Sequence, residues 1–514
     1  MTCPMKPMLP HLRAWSAFLL FTLTAPALVV AQVVNRDTTK PIELGAHRQL
    51  FLDDALLESR HGLTHVVHQP VKLPKPIIVG DQPWENWAIY PHGSPCVIWD
   101  AEDKIYKMWY QAYSVVPPQK ERYIMCYATS VDGLTWQKPK LGLFDYAGTR
   151  ENNIVVMGNT QWALTNVIKD PHEKDPKRRY KSLSWDDGAI AVAFSPDGIH
   201  WELHPGNPVI RGTGDSHNIL PYDETLGKYV GYLRPGREQG EGKRVIGYST
   251  SDDFVHWSPI EVILRPDALD PVGDQFYQMP VMRYEGNYLG FLWIYHNAPS
   301  WPWPRDIFDR RNLRGSEQTL DTQLTFSRDS RNFVRAGQRD TFLAVGAPGS
   351  WDEGMVEVST VIPHGDELWI YYAGSTAKHF FEDLLNLRQE VDGRRWMIGI
   401  GLAKLRRDGF VSLHAGDAGG MALTRLFSVG AARQLILNAD AGGGQLEVEV
   451  VDEYLKPIPG FTRAEFRSIR ADGVSLAGRW EKNADLAALA GRSVRLRFYL
   501  RQADLFAFEL KPAG

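Results

Sequence analysis

Apolar positions along this chain come in short runs broken by polar turns, and the pattern recurs. Val97-Ile-Trp99-Asp100 leads into Tyr106-Lys-Met-Trp-Tyr110, and Val167-Ile-Lys169-Asp170 into Tyr180-Lys-Ser-Leu-Ser-Trp185. Leu220-Pro-Tyr222-Asp223 leads into Lys228-Tyr-Val-Gly-Tyr-Leu233, Val281-Met-Arg-Tyr284 into Tyr288-Leu-Gly-Phe-Leu-Trp293, and Val361-Ile-Pro-His364 into Leu368-Trp-Ile-Tyr-Tyr372. Each pair reads as a strand, a polar turn and an aromatic strand. A third strand and a second motif follow. Ser130-Val-Asp132-Gly133-Leu-Thr-Trp136 returns as Ser195-Pro-Asp197-Gly198-Ile-His-Trp201, as Ser251-Asp-Asp253-Phe-Val-His-Trp257 and, altered, as Ser327-Arg-Asp329-Ser-Arg-Asn-Phe333, with an eroded copy at Ala403 to Phe410. Ser and Asp cap a turn, Gly accepts positive φ, and the aromatic residue packs between sheets. Five repeats of four strands predict an all-β chain built as a five-bladed β-propeller. A single-sheet solenoid is the alternative, and units this long favour blades.

The ends of the chain differ from this repeat. Lys6 and Arg13 precede an apolar run from Trp15 to Val30, and Val29 and Ala31 supply the small residues of a cleavage site. Residues 1–31 therefore read as a signal peptide. The run is short for a membrane span of about 20 residues, so the chain is expected to be secreted or periplasmic and not held in a membrane after cleavage; a retained anchor is the other reading. Residues 32–413 would form the propeller. Beyond them, alternating strands such as Gln445-Leu-Glu-Val-Glu-Val-Val451 and Val494-Arg-Leu-Arg-Phe-Tyr-Leu500 predict a C-terminal β-sandwich over 414–514, acting as a clasp or as a sugar-binding module.

Composition removes some classes of function. The 57 Lys and Arg nearly balance 61 Asp and Glu, with no basic stripe, which excludes nucleic acid as an expected partner. Of three cysteines, Cys3 leaves with the signal peptide, and Cys96 and Cys126 read as buried free thiols.

In a propeller the first strands converge on one funnel, so the residues at and just before their starts carry the candidate chemistry. Aligning the repeats gives Tyr90, His92 and Ser94; Trp162 and Asn166; Asp215 and His217; Asp274 and Gln278; and Glu353 and Glu357. Unpaired buried carboxylates are costly, so several that converge usually have a task. A polar channel without chemistry is the plainer alternative.

Trp87-Ala-Ile-Tyr90-Pro91-His92-Gly93, followed by Tyr106-Lys-Met-Trp-Tyr-Gln111, resembles the W-M-N-D-P-N-G and Y-H-L-F-Y-Q motifs of glycoside hydrolase family 32, within the five-bladed clan that includes family 43. The architectural resemblance extends over most of residues 45 to 413 and includes a group of uncharacterised exported bacterial proteins. It implies a glycosidase with an oligosaccharide or polysaccharide substrate. The family's nucleophilic Asp is Tyr90 here, and Gln278-Met279-Pro280 stands where the family has its E-C-P acid. Lys169-Asp170-Pro171 looks like the family's R-D-P, yet the repeat puts Asp170 in the turn slot of Asp100 and Asp223, a structural position.

Glycoside hydrolysis needs an acid and a second carboxylate. Asp215, Asp274 and Glu357 are the catalytic candidates. Glu357 lies among Met355, Val356 and Val358, surroundings that favour a neutral carboxyl group and suit a general acid. Asp215 would serve as base or nucleophile, and Asp274 would orient the sugar or tune a neighbour. Trp84, Tyr90, His92, His217, Gln278 and Glu353 are the substrate-binding candidates, with Trp84 and the Trp301-Pro-Trp303-Pro loop offering indole faces to sugar rings. No cofactor is implied. His92, His217 and Asp215 could hold a divalent ion, although no local ligand motif supports it. Two other functions compete with an exo-acting glycoside hydrolase. One is a sialidase-like enzyme with Tyr90 as nucleophile, suggested by the Asp-box character of the repeat. The other is a non-catalytic glycan-binding propeller, favoured where funnel carboxylates pair with arginines such as Arg234, Arg237 and Arg283.

Overall fold

The computed structural model describes residues 40–85, 88–89, 95–113, 123–158, 166–186, 188–236, 238–296, 318–379, 398–431 and 433–512. Among them there are strands and short 3-10 turns but no α-helix, and no helix long and apolar enough to cross a membrane. Residues 1–31 lie outside the described residues.

The repeat seen in the sequence is a repeat of antiparallel sheets. In the first unit, Ala88–Ile89 and Cys96–Asp100 pair with Ile105–Tyr113, followed outward by Tyr123–Ser130 and Ile154–Gly158. The second runs Asn166–Lys169, Tyr180–Asp186, Ala189–Ser195, then Glu202–Leu203 and Ile210–Arg211. The third runs Thr213–Asp223, Lys228–Pro235, Ile246–Ser251, Glu261–Leu264. The fourth begins with Gln275–Gln278 and Val281–Tyr284, which pair with Asn287–His296 beside Thr319–Ser327. The fifth is Met355–His364, Glu367–Ser375 and Ile398–Arg406; its fourth place is taken by Val71–Lys72 and Ile78–Val79 from the N-terminal side. One parallel pair, Leu320 with Met355, joins the fourth and fifth units. First strands of all five units line a cavity of about 390 Å³, with Val97, Ile168, Ile219, Val281 and Val361 among its walls.

The two repeated motifs are what bind one unit to the next. Tyr180 donates to Asp100 (2.9 Å), Tyr229 to Asp170 (2.5 Å) and Tyr288 to Asp223 (2.5 Å), each tyrosine belonging to the unit after the carboxylate. The Ser-x-Asp turn works in the opposite direction. Ser130 Oγ accepts from the Gly133 amide and Asp132 from those of Leu134 and Thr135, which folds the loop so that the Gly133 carbonyl accepts from Tyr371 of the fifth unit. Gly198 accepts likewise from Trp109 (2.7 Å) and Ser330 from Tyr232 (2.8 Å). Gly133 and Gly198 have φ of 70° and 80°, and an added Cβ would lie 2.8 Å and 2.5 Å from Trp369 and Trp109, so this position needs both the backbone freedom and the missing side chain. In the eroded copy Asp408, with φ of 60°, is buried and accepts from Tyr284 (2.6 Å).

A second body is formed by the chain ends. One sheet orders Thr64–Val67, Val411–Ala415, Ala503–Pro512, Arg433–Asp440 and Asp472–Ala477, with Gln49–Leu50 on Ala503–Pro512. The other orders Leu57–His61, Gly420–Thr424, Ser493–Arg501 and Phe427–Ser428, with Gln445–Val451 on Ser493–Arg501. They enclose one apolar core that includes Phe51, Leu437, Val448, Phe498 and Phe508. The expected division at residue 413 is thus corrected in two places. Val411–Ala415 pairs within this body, and so do the N-terminal strands before residue 68, which the sequence assigned to the repeat. They are too short to declare a partner by periodicity alone.

Asp170 is 2 % exposed and accepts from the fully buried Lys181 as well as from Tyr229. Removing Asp170 leaves the buried Lys181 with Glu173 alone and the Tyr229 hydroxyl without its acceptor, so Asp170→Ala is expected to cost about 3 kcal/mol, whereas Asp252→Ala, which removes an exposed pair with Lys228, should stay within about 0.5 kcal/mol. Equal thermal melting of the two variants would refute the latch. The pH dependence has a definite sign. Despite burial, hydrogen bonds from Lys181, Tyr229 and the His172 amide hold the Asp170 carboxyl below its ordinary range. Its contribution is present above the unfolded value near about 3.9 and lost as pH falls through the lower folded value.

Candidate functional site

Each first strand runs from one end of its sheet to the polar turn marked by Asp100, Asp170, Asp223, Tyr284 or His364, and the second strand returns. The starts of first strands, the ends of second strands and the starts of third strands therefore share the end opposite the turns. Several predicted residues sit there. Asp215, in Thr213–Asp223, is exposed and forms an ion pair with Arg234 at the end of the next strand. Arg234 is 8 % exposed, donates to the Tyr277 carbonyl (2.6 Å) and lies 4.4 Å from the Tyr277 ring centroid.

Glu357 is fully buried on Met355–His364. Side chains alternate along a strand, so Glu357 shares the face of Met355, whose apolar cluster includes Tyr277, Trp293 and Tyr295; Val356 and Val358 point into a different cluster. Burial pushes the Tyr277 hydroxyl above its ordinary range, and Asp215 and Glu357 both add to the rise. Tyr277 thus lies within electrostatic reach of both predicted carboxylates.

Asp274 is buried and bonded to His296, whose Nδ1 lies 3.2 Å from both carboxylate oxygens; His296 Nε2 is 3.2 Å from Asp321. Burial alone would lower the imidazole, but the two carboxylates outweigh it and push its pKa up to about 10. His217 has the opposite fate. Its Nε2 donates to the Leu183 carbonyl (3.1 Å), and burial pushes its pKa down to about 4, so it is a neutral ring. Asn166 donates to the His217 carbonyl (2.7 Å), which ties the second unit to the third. Gln278 is buried beside a register shift opposite Trp293, and Glu353 accepts from the Gly349 amide in the turn that precedes Glu357.

Trp84 requires a correction. Its indole is 5 % exposed, packs with the apolar cluster of the first unit, and donates to Asn153 (2.8 Å), so it offers no face to a sugar. Tyr90, His92, Ser94, Trp162, Arg237 and the Trp301–Trp303 loop lie outside the described residues. Among those described, no group of three His, Cys, Asp or Glu side chains could hold a metal ion. Cys96 and Cys126 are free thiols; burial pushes that of Cys96 up to about 12.

The sequence alignment of first strands missed Arg244, Tyr277, Tyr295, His296 and Asp321. Tyr277 was one residue from a named position, and His296 ends the strand that begins at Asn287. Extending the same alignment to the upper ends of second strands would have found His296 and Arg234 together.

No protein-family model and no curated protein sequence matches the chain. Among solved structures, one described as a glycoside hydrolase is similar with 13% identity and a TM-score of 0.43 over 65% of this chain and 92% of that one. An N-acetylgalactosamine deacetylase from F. plautii has 14% identity and a TM-score of 0.38 over 71% and 95%. A member of the GH130 family, which is described as containing mannoside phosphorylases and glycoside hydrolases, has 14% identity and a TM-score of 0.36 over 70% and 94%.

The arrangement around His296 predicts an imidazolium that persists through neutral pH. Proton-detected NMR of His296, assigned with His296→Gln, should give a midpoint near 10. A midpoint near the ordinary value of about 6.5 would refute the Asp274–His296–Asp321 chain. Because the folded pKa is raised, the stability that this chain confers should be complete below about pH 6.5 and disappear as pH rises through about 10.

Proposed function

We propose that this chain is an exported, exo-acting glycoside hydrolase acting on oligosaccharides or polysaccharides. In this reading the five units are blades of a divergent relative of the family 32 and 43 propellers, closed by a β-sandwich. The observation that carries it is the pair of carboxylates from the third and fifth units on either side of Tyr277 in the fourth: Glu357 buried among apolar side chains, Asp215 exposed and held by Arg234. Hydrolysis of a glycosidic bond asks for two carboxyl groups in unlike settings, one to protonate the leaving oxygen and one to act as base or nucleophile. Glu357 takes the first role and Asp215 the second. Asp274 acts as a positioning residue through His296.

One observation favours a second reading. Asp215 pairs with Arg234 and Asp274 with His296, and a carboxylate that is fully occupied by a cation serves binding better than proton transfer. A non-catalytic glycan-binding propeller has that character. The sialidase-like alternative depends on Tyr90, which lies outside the described residues.

Hydrolysis of a broad panel of glycans and aryl glycosides by residues 32–514 separates the two. The wild type is expected to release sugar, and Glu357→Gln to lower the rate by about 10²–10⁴-fold with unchanged thermal melting. Asp215→Asn should also lower it. Full activity in Glu357→Gln removes Glu357 from the mechanism, and silence of the wild type with intact glycan binding establishes the second reading.

A further inference from the structure

Arg244 stands just before the strand Ile246–Ser251, at the same end of the third unit as Arg234. Its guanidinium carbon lies 5.2 Å from the ring centroid of Tyr277 and 5.3 Å from that of Tyr295. His379 packs against both rings, with centroids 5.0 Å and 4.5 Å away. Nη1 donates to the Gln275 side-chain oxygen (2.9 Å), which also accepts from the Arg244 amide (3.3 Å). The guanidinium is therefore fixed against two aromatic faces by a neutral acceptor, a pre-organised and partly buried position.

Its charge balance is unusual. Arg234 shares the Tyr277 ring and is matched by Asp215, whereas no carboxylate among the described residues pairs with Arg244. Burial and the nearby Arg234 work against the Arg244 cation and outweigh the smaller support from Tyr277, Asp215 and Tyr295, although a guanidinium remains charged. Arg48, Arg335 and Arg339, by comparison, each have a carboxylate of their own. An ordered, partly desolvated cation with spare donors beside a second cation is a setting for an incoming anion, and the planar fork matches a carboxylate.

We propose that Arg244 recognises the carboxylate of a uronic-acid residue in the substrate. The inference rests on the glycan reading above and narrows it to acidic glycans. The carboxylate would accept from the Arg244 nitrogens not used on Gln275, with the sugar on the side of the exposed Asp215. A sulfate ester could accept from the same donors, and the test tells the two apart.

The experiment compares binding of the full mature chain to immobilised oligosaccharides carrying gluco-, galacto- or manno-configured uronates, to the methyl esters of the same compounds, to their neutral hexose counterparts and to sulfated counterparts. Esterification keeps shape and removes charge. The expected result is tighter binding of one acidic series than of its esters by at least about tenfold, a difference that falls to near unity in Arg244→Gln and partly returns in Arg244→Lys. Thermal melting verifies that the variants fold, and the ester comparison on wild type needs no variant at all. Equal affinity for acid and ester in the wild type overturns the proposal, as does a difference that survives in Arg244→Gln or a preference for the sulfated series. In those cases retained binding of neutral glycans leaves the broader glycan reading standing. Absence of binding to every series removes both.

Discussion

The structure depends on buried hydrogen bonds that cross from one sheet unit to the next. A sheet of four strands cannot bury both faces alone, so each unit must pack on its neighbours, and apolar packing by itself does not fix which neighbour or in what register. The tyrosine-to-carboxylate contacts at Asp100, Asp170 and Asp223 supply that choice. Their lysines, Lys107 and Lys181, make the carboxylates ionised acceptors for the next unit's hydroxyl, and a charge-assisted bond is both stronger and more directional than a neutral one. Where the carboxylate is missing, the chain substitutes. His364 meets Tyr106 at 3.0 Å, and at the fourth unit the polarity reverses, with Tyr284 donating to Asp408.

These latches occupy one end of the strands and the Ser-x-Asp loops, and so they leave the other end free to carry charge for other purposes. Ring closure reaches that end as well. Lys72, on the N-terminal strand that completes the fifth unit, donates to Asp352 (2.7 Å), which also accepts from Tyr372 (3.2 Å). Asp352 and Glu353 form the approach to Glu357. The N-terminal segment thus fixes the backbone that presents Glu357, although it lies far away in sequence, and Arg48, earlier in the same segment, pairs with Asp408 in the last loop of the repeat (2.5 Å).

The repeat was legible because its motifs do local work: a serine and an aspartate fold their own loop, so their spacing survives in the sequence. The turn position of Asp170 was legible for the same reason, despite its likeness to a catalytic motif. What the sequence hid was non-local. The strands Leu57–His61 and Thr64–Val67 carry no sign that their partners lie near the other end of the chain. Trp84 looked like a loop aromatic because nothing in its surroundings reveals Asn153, the acceptor that lets an indole be buried. Among site residues, Asp215, Asp274 and Glu357 followed from strand alignment, but their partners Arg234 and His296 come from returning strands, where register and not spacing decides who meets whom.

The site has an order that follows from this topology. The predicted carboxylates come from first strands or from just before them, as Asp215, Asp274 and Glu357 do, whereas the cations come from the ends of second strands, Arg234 and His296, and from the approach to a third, Arg244; one further carboxylate, Asp321, reaches His296 from a third strand. First strands line the central cavity, and the cations stand on the strands behind them. Paired in this way, Asp215 and Asp274 keep fixed positions and fixed charge, because a carboxylate bonded to a buried guanidinium or imidazolium has few other rotamers within reach. Glu357 is held by its strand and by apolar neighbours. Arg244 alone interrupts the order, a cation braced on Tyr277 and Tyr295 with a neutral amide in place of a carboxylate. Among the described residues at this end, Asp215 with Arg234 and Asp274 with His296 are balanced within the fold, and a carboxylate brought by a ligand would do the same for Arg244.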